Sequence, residues 1–437
     1  MKYLILTFAF YYQNLFFTFV SEFSFSPELF EFLALFCIIS LIAKLPFRKL
    51  IFILWQSLYF VQFSFYLYFG DLIKATDIKL FFTHLDETFE TFLPLVEHFT
   101  ISIVMSIVVV LFIISNHFKK IKLHFLLLVL PLVFFSLNAN INDVSLKLLS
   151  QIPKTLQQQA QIEQNNIQKP IKHHDTNQSI ILIIGESIRA KEYLKNTFST
   201  FEAYPYKSIY SGATNTDVSV PLLLNGATHP SHINPEQNLI NLAKENNYTT
   251  YFISTQNRNY LKYIKPHLGD KIDQYKVLGS QNDNDLIQEL NDINFSKKSF
   301  VVLQMQGAHS PYTYHEKSAK TLQENYLYCV EKTNSVLKLI FKNNPKHLIL
   351  FTSDHGENLG ENEKFGHNRF TEHVYKVPLI SNQNFTHIQS HNDLYKYILH
   401  HIGYKENNTT KSTSIRVYGT MLTGEDGFRD FLRKDEL

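Results

Sequence analysis

Residues 3–20, YLILTFAFYYQNLFFTFV, contain no charged side chain. A run of this length can cross the hydrocarbon core of a bilayer as a helix, which satisfies every backbone polar group within the segment. A cleaved signal peptide would need a small-residue cleavage site after the run, and the sequence offers none. Further apolar segments follow at 29–43, 50–69, 99–115 and 123–138, so five spans are expected before residue 140. Loop charges agree with that number. Lys2, then Lys44, Arg48 and Lys49, then Lys119, Lys120 and Lys122 lie on one side. Glu22 and Glu28, and the acid-rich stretch with Asp71, Asp77, Asp86, Glu87, Glu90 and Glu97, lie on the other. The excess of positive charge on cytoplasmic loops places the N-terminus inside and everything after residue 140 outside. Within the loop at 70–98, Phe81, Phe82, Leu85, Phe89 and Phe92 are spaced for an interfacial helix.

Residues 150–178 are rich in Gln, Asn and Lys, with Pro153 and Pro170, a composition suited to a linker. The expected domains are a transmembrane part at 1–140, a linker at 141–178 and a soluble domain at 179–437. In the last, apolar runs at 180–184, 249–254, 300–304, 348–351 and 377–380 alternate with helical patterns such as 236–247 and 322–343. The alternation predicts an α/β domain, with a mostly parallel sheet covered by helices on both faces.

A net charge of +2, with no basic run interleaved with aromatics, gives no reason to expect a nucleic-acid partner. The two cysteines, Cys37 in an apolar segment and Cys329 in the soluble part, supply no disulfide framework.

Ligands of open α/β sheets bind at the carboxyl ends of the strands. There the first apolar run leads into Gly185-Glu186-Ser187, the third into Gly307-Ala308-His309, and the fourth into Ser353-Asp354-His355-Gly356-Glu357, with His367 twelve residues beyond His355. Carboxylates and imidazoles converging on one sheet edge are ligands suited to Zn²⁺. Each has a plainer reading taken alone, as a helix cap or an incidental loop histidine; their convergence favours the metal. A nucleophile is offered by Ser211-Gly212-Ala213-Thr214-Asn215-Thr216-Asp217-Val218-Ser219, where a helix can start and its N–H groups can receive phosphate. Residue pattern alone leaves Thr214, Thr216 and Ser219 as alternatives.

These motifs, in this order, resemble the phosphoethanolamine transferases of the alkaline phosphatase and sulfatase superfamily, enzymes that modify lipid A and related cell-envelope acceptors. The resemblance spans the chain. It implies a bacterial inner-membrane protein with a periplasmic catalytic domain, acting as a monomer on phosphatidylethanolamine as donor and lipid A or a related acceptor. The nucleophile of the family's G-T-x-T-x-x-S-x-P stretch falls on Thr216, its zinc ligands on Glu186, Thr216, Asp354 and His355, and two histidines that serve substrate phosphate or a second zinc on His309 and His367. The implied reaction passes through a phosphoethanolamine-threonine intermediate. The sequence departs from the family where cysteines commonly flank the nucleophile, at Gly212 and Leu222, and Ala213 replaces the usual glycine. The nucleophile loop must then be held by packing. A phosphoglycerol transferase on the same fold is the nearest rival. A sulfatase activity would need a C/S-x-P-x-R motif, which neither cysteine has. The terminal Lys434-Asp435-Glu436-Leu437 matches an endoplasmic-reticulum retention signal, a chance match in a bacterial membrane protein.

Overall fold

A computed structural model describes residues 1–20, 29–69, 72–74, 77–78, 81, 99–116, 145, 148–149, 169–197, 204–258, 261, 264–310, 312, 321–361, 364–367, 369–406, 413–424 and 426–433. The chain divides into two compact units, Met1–Gln159 with Asn362–Lys364, and Ala160–Glu361 with Phe365–Leu437.

Helices of the first unit include α1 (Lys2–Val20), α2 (Leu29–Ile42), α3 (Arg48–Phe69) and α4 (Thr100–Ser115). They fall on four of the five expected spans. The fifth, 123–138, and most of the 70–98 segment lie outside the described residues. Among those described, α3 is long and apolar enough to cross a membrane, while α4 is apolar but shorter. Phe10, Ile39, Phe52, Trp55 and Ile113 pack together in the interior. Leu54, Val61, Ile107, Val108 and Leu111 face outward, an apolar surface. Gln13 and Gln56 exchange two amide hydrogen bonds of 2.9 Å, and Gln56 also donates to Ser106 at 3.2 Å. Polar clasps of this kind join helices whose remaining contacts are apolar.

The elements that follow are β1 (Ile171–Lys172), β2 (Ile180–Gly185), α5 (Ala190–Thr197), β3 (Tyr206–Tyr210), α6 (Thr216–Asn225), α7 (Leu239–Glu245), β4 (Thr249–Ser254), β5 (Gln274–Val277), α8 (Asp285–Asn291) and β6 (Ser299–Gln304). After these come α9 (Leu322–Asn343), β7 (Leu348–Ser353), β8 (Asn358–Glu361), β9 (Lys364–Gly366), α10 (Glu372–Tyr375), β10 (Lys376–Ser381), α11 (His391–His401), β11 (Tyr404–Lys405), β12 (Ser414–Tyr418) and β13 (Phe428–Leu432).

Seven strands form the central sheet in the order β3-β10-β7-β2-β6-β4-β5. The pairs β7-β2, β2-β6, β6-β4 and β4-β5 are parallel, and β10 runs antiparallel to both of its neighbours. The sheet is therefore mixed, with the expected parallel character confined to its centre and one edge. Successive side chains of a strand point to opposite faces, and this sorts the run at 180–184. Ile180, Leu182 and Ile184 pack with Leu223 of α6, Leu242 of α7 and Ile398 of α11. Ile181 and Ile183 pack with Leu290 of α8 and with Val330, Leu337 and Phe341 of α9. Each fully buried side chain of this kind contributes about 1.5–3 kcal/mol. The carboxyl ends of β2, β4, β6 and β7 thus come to one edge. Within the stretch read as linker, Ile171 and Lys172 pair antiparallel with β11.

Candidate active site

Glu186 follows the last residue of β2, where the chain turns through Ser187 at a φ of 58°. This left-handed conformation costs a non-glycine residue about 1–2 kcal/mol. The turn aims the Ser187 N–H at Asp354 Oδ1 (3.0 Å) and lets its hydroxyl donate to Glu186 Oε1 (3.0 Å), while Tyr326 Oη donates to its carbonyl (2.9 Å). Across the edge Gly307, also left-handed at a φ of 57°, lies so close that a Cβ there would meet the Glu186 backbone N and O at 2.7 Å. Glycine is required at that point for the two strand ends to approach.

Asp354 and His355 leave the end of β7. The His355 N–H donates to Asp354 Oδ1 at 2.7 Å. His355 Nδ1 lies 2.8 Å from the Gly356 carbonyl, which fixes a proton on Nδ1 and turns the lone pair of Nε2 inward. Nε2 is 3.5 Å from Glu186 Oε1 and 3.4 Å from Asp354 Oδ2. Asp354 Oδ2 is buried and receives no hydrogen bond of acceptable geometry. One ligand atom from each of Glu186, Asp354 and His355 lies within 4.8 Å of the others. Two carboxylates and a correctly oriented imidazole, with a buried oxygen awaiting a partner, fit a divalent metal such as Zn²⁺.

Burial pushes the Glu186 carboxyl well above the usual range, and the nearby Asp354 charge adds to the effect. For Asp354 burial acts in the same upward direction, but the His355 ring and the hydrogen bonds to its carboxylate outweigh it and hold Asp354 below the ordinary value. Burial lowers His355, only partly countered by Asp354. Burial thus opposes two negative charges side by side at Glu186 and Asp354, and a bound cation would relieve that opposition.

Of the three hydroxyls that residue pattern leaves open, Thr216 is the one turned into this site. It is the first residue of α6, behind the N-cap Asn215, whose side chain accepts from the Asp217 N–H at 2.9 Å. Its Oγ1 lies 3.3 Å from both Glu186 oxygens and 3.1 Å from His355 Nε2. Ser219 instead commits its proton to the Asp354 carbonyl at 2.6 Å, and Thr214 Oγ1 is buried without a hydrogen bond.

The two remaining histidines flank this centre. The His367 ring lies on the His355 ring with centroids 4.3 Å apart, and its Nδ1 is 3.3 Å from the buried Glu357 carboxylate. The position of His367 follows from the β8–β9 hairpin, which returns the chain to the strand end. His309 is buried just past β6, its Nδ1 2.6 Å from the Ser310 carbonyl and its charge felt by Glu186.

Residues without a recognisable pattern complete the frame. Gln256, two residues past β4, donates to Glu186 Oε2 at 2.8 Å. Asp283 accepts from Thr255 Oγ1 (2.6 Å) and from the N–H groups of Gln306 (2.7 Å) and Gly307 (3.0 Å), tying two strand-end loops together. Arg189, almost fully buried, meets Glu192 at 2.8 Å and Glu361 at 2.7 Å and so tethers β8 to the start of α5. No sequence signal marks Gln256 or Asp283, because both act through contacts between distant segments.

His391 is the other residue that pattern reading missed. As the first residue of α11 it accepts from the Gly212 N–H at Nδ1 (3.1 Å), lies 3.3 Å from Ser219 Oγ and reaches the Ser353 carbonyl from Nε2 (3.0 Å). The loop leading into α6 is further held by β12, through Thr214 N–H to Tyr418 O (3.0 Å) and Tyr418 N–H to Gly212 O (2.9 Å). Gly212 packs so tightly on Leu222 that a Cβ at 212 would lie 3.2 Å from the Leu222 Cβ. Packing and hydrogen bonds thus span the two positions at which the resembled family commonly has cysteines.

Burial pushes His391 down from 6.5 to about 4. Between those values the unfolded chain takes up a proton that the folded chain refuses, so stability falls as pH drops below about 6.5, by about 2 kcal/mol at pH 5. Thermal melts of the detergent-solubilised protein at pH 7 and pH 5 should show a larger drop for wild type than for His391→Asn, which keeps an acceptor and does not titrate.

Residues 178–404, more than half of the chain, match the sulfatase family model. No curated protein sequence matches the chain. The integral membrane lipooligosaccharide phosphoethanolamine transferase A from Neisseria meningitidis is similar in structure, with a TM-score of 0.64 at 15% identity over 94% of this chain and 95% of that one. The C-terminal periplasmic domain of the phosphoethanolamine transferase EptC from Campylobacter jejuni is 19% identical, covering 54% of this chain and 92% of that one with a TM-score of 0.45. The zinc complex of the C-terminal periplasmic domain of EcEptC from Escherichia coli is 16% identical, covering 60% and 96% with a TM-score of 0.47. At these identities the Neisseria likeness is one of fold, and it extends over nearly the whole chain. Residues 178–404 contain the strand ends and the helix start that carry Glu186, Thr216, His309, Asp354, His355 and His367, and the chain belongs to the sulfatase family.

Proposed function

We propose that the protein is an inner-membrane phosphoethanolamine transferase that moves phosphoethanolamine from phosphatidylethanolamine to lipid A or a related envelope acceptor. The observation that carries this reading is the Thr216 hydroxyl, set at a helix N-terminus 3.3 Å from the Glu186 oxygens and 3.1 Å from His355 Nε2. Glu186, Asp354 and His355 would hold Zn²⁺ with Thr216 as the fourth ligand. A zinc ion so bound supplies positive charge that lowers the pKa of a hydroxyl and offsets charge on a phosphoryl group.

The chain's own residues do the rest. Glu186 and His355 orient the Thr216 oxygen, and the N-terminus of α6 faces the phosphate. A bond forms from Thr216 Oγ1 to phosphorus as the bond from phosphorus to the glycerol oxygen breaks. The threonine proton passes to a base of the site, and the departing diacylglycerol oxygen takes one up. An acceptor hydroxyl or phosphate oxygen then displaces Thr216. His309 and His367 flank the centre, His309 Nδ1 2.6 Å from the Ser310 carbonyl and His367 Nδ1 3.3 Å from Glu357, and imidazoles placed there can exchange protons with donor and acceptor. The apolar first unit suits a donor and an acceptor that are both lipids. It is read here as five spans with the N-terminus cytoplasmic and the catalytic domain periplasmic.

The donor is tested with detergent-solubilised protein and radiolabelled lipids. Diacylglycerol should appear from phosphatidylethanolamine at least tenfold faster than from phosphatidylglycerol. The reverse preference would make the protein a phosphoglycerol transferase.

A further inference from the structure

Gln256 is buried, belongs to no motif, and is the side chain through which a third strand end reaches the carboxylate of Glu186. Its Nε2 donates to Glu186 Oε2 at 2.8 Å and to the Met305 carbonyl at 3.1 Å, and its Oε1 accepts from Gln304 Nε2 at 3.2 Å. The orientation of the amide is dictated, since a carboxylate and a carbonyl can only accept and the NH₂ group must face both. The three residues stand at the ends of β2, β4 and β6, which are neighbours in the sheet. A relay therefore runs across the strand ends from Gln304 to Gln256 to Glu186. Glu186 Oε2 is tied on that side, while Oε1 takes the Ser187 hydroxyl (3.0 Å) and lies 3.5 Å from His355 Nε2.

We propose that Gln256 is a positioning residue for the metal centre, fixing the Glu186 carboxylate so that Oε1 is the oxygen presented beside His355 and Asp354. This rests on the metal-site reading of Glu186, Asp354 and His355. A carboxylate free to rotate about its last torsion spreads its oxygens over several positions, and a donor fixed behind one of them selects one. Outer partners of this kind typically change metal affinity by about 10–100-fold when removed.

The test uses the full-length protein in detergent, stripped of metal and titrated with Zn²⁺ against a competing chelator, and separately with Co²⁺ while visible absorption is recorded. Gln256→Met keeps the length of the side chain and removes both donors. The expected result is zinc affinity about 10–100-fold below wild type, with a Co²⁺ spectrum of altered shape and a metal-free melting temperature within a few degrees. If the Met variant does not fold, Gln256→Leu is judged by the same readings. Zinc affinity within twofold of wild type together with an unchanged Co²⁺ spectrum would overturn the proposal. A wild-type protein that binds neither metal would overturn the metal-site reading and the role of Gln256 with it, so the two failures are distinguishable.

Discussion

Thr216→Ala will release diacylglycerol from phosphatidylethanolamine at least about 10⁴-fold more slowly than wild type, the scale on which enzymes lose turnover when a covalent nucleophile is removed. The expectation follows from how little else the hydroxyl does. Thr216 Oγ1 touches Glu186 and His355, while α6 is capped by Asn215 rather than by Thr216. The melting temperature should stay within a few degrees of wild type. Thr214→Ala should keep activity within about tenfold, because that hydroxyl contacts none of Glu186, Asp354 or His355. Ser219→Ala falls between the two, because it loses the 2.6 Å bond that holds the Asp354 carbonyl. Release of labelled diacylglycerol by the three variants ranks the hydroxyls directly.

Asp354→Asn carries the second large effect, and its sign depends on metal. Without a cation, Glu186 and Asp354 are two buried carboxylates in one site, and burial with the Asp354 charge keeps Glu186 protonated well above the usual range. Asparagine removes the Asp354 charge that bears on Glu186 and can still accept from the N–H groups of Ser187 and His355, the bonds Asp354 Oδ1 receives at 3.0 and 2.7 Å. The metal-free variant should therefore melt at or above the temperature of metal-free wild type, in keeping with the stability held back at functional sites. With zinc present the order reverses, because the neutral amide is a poor ligand and the stabilisation from binding is lost. Turnover should fall by more than about 100-fold, since a direct ligand matters more than the outer partners that cost 10–100-fold. Chelation of wild type should give the same loss, and added Zn²⁺ should restore only wild type. Melting curves with and without Zn²⁺, read beside turnover, check both halves.

The parts of this architecture that local chemistry governs were legible in the sequence. Ile180–Ile184, Phe300–Leu303 and Leu348–Phe351 are apolar throughout because both faces of a central parallel strand are covered, and each lies in a strand of the sheet. Helix α9 falls on the helical pattern at 322–343, and the structure adds the capping box of Thr321 and Glu324 that starts it. Glu186, Asp354 and His355 were found because a charged residue directly after such a strand is conspicuous. What the sequence hid depends on closure in three dimensions. Thr214, Thr216 and Ser219 could not be ranked until the start of α6 fixed which hydroxyl turns inward. The reversed direction of β10 leaves no mark on its residues, since Val377–Ile380 reads as a strand either way. Tyr418 of β12 pins the loop leading into α6 from a distant part of the sequence. Gln256, Asp283 and His391 are ordinary polar residues whose roles come from what they meet. The ion pair of Arg189 with Glu361 joins segments far apart in the chain and leaves no local mark.

One measurement bears most directly on the central claim, that Thr216 carries the transferred group. Full-length protein in detergent is mixed with phosphatidylethanolamine in the absence of acceptor and quenched in acid. The peptide containing Thr216 is then examined by mass spectrometry. The expected result is a phosphoethanolamine adduct on Thr216 that forms as diacylglycerol is released, needs Zn²⁺, and disappears when acceptor is added. Diacylglycerol release with no adduct at any time point, or an adduct on Thr214 or Ser219, would contradict it.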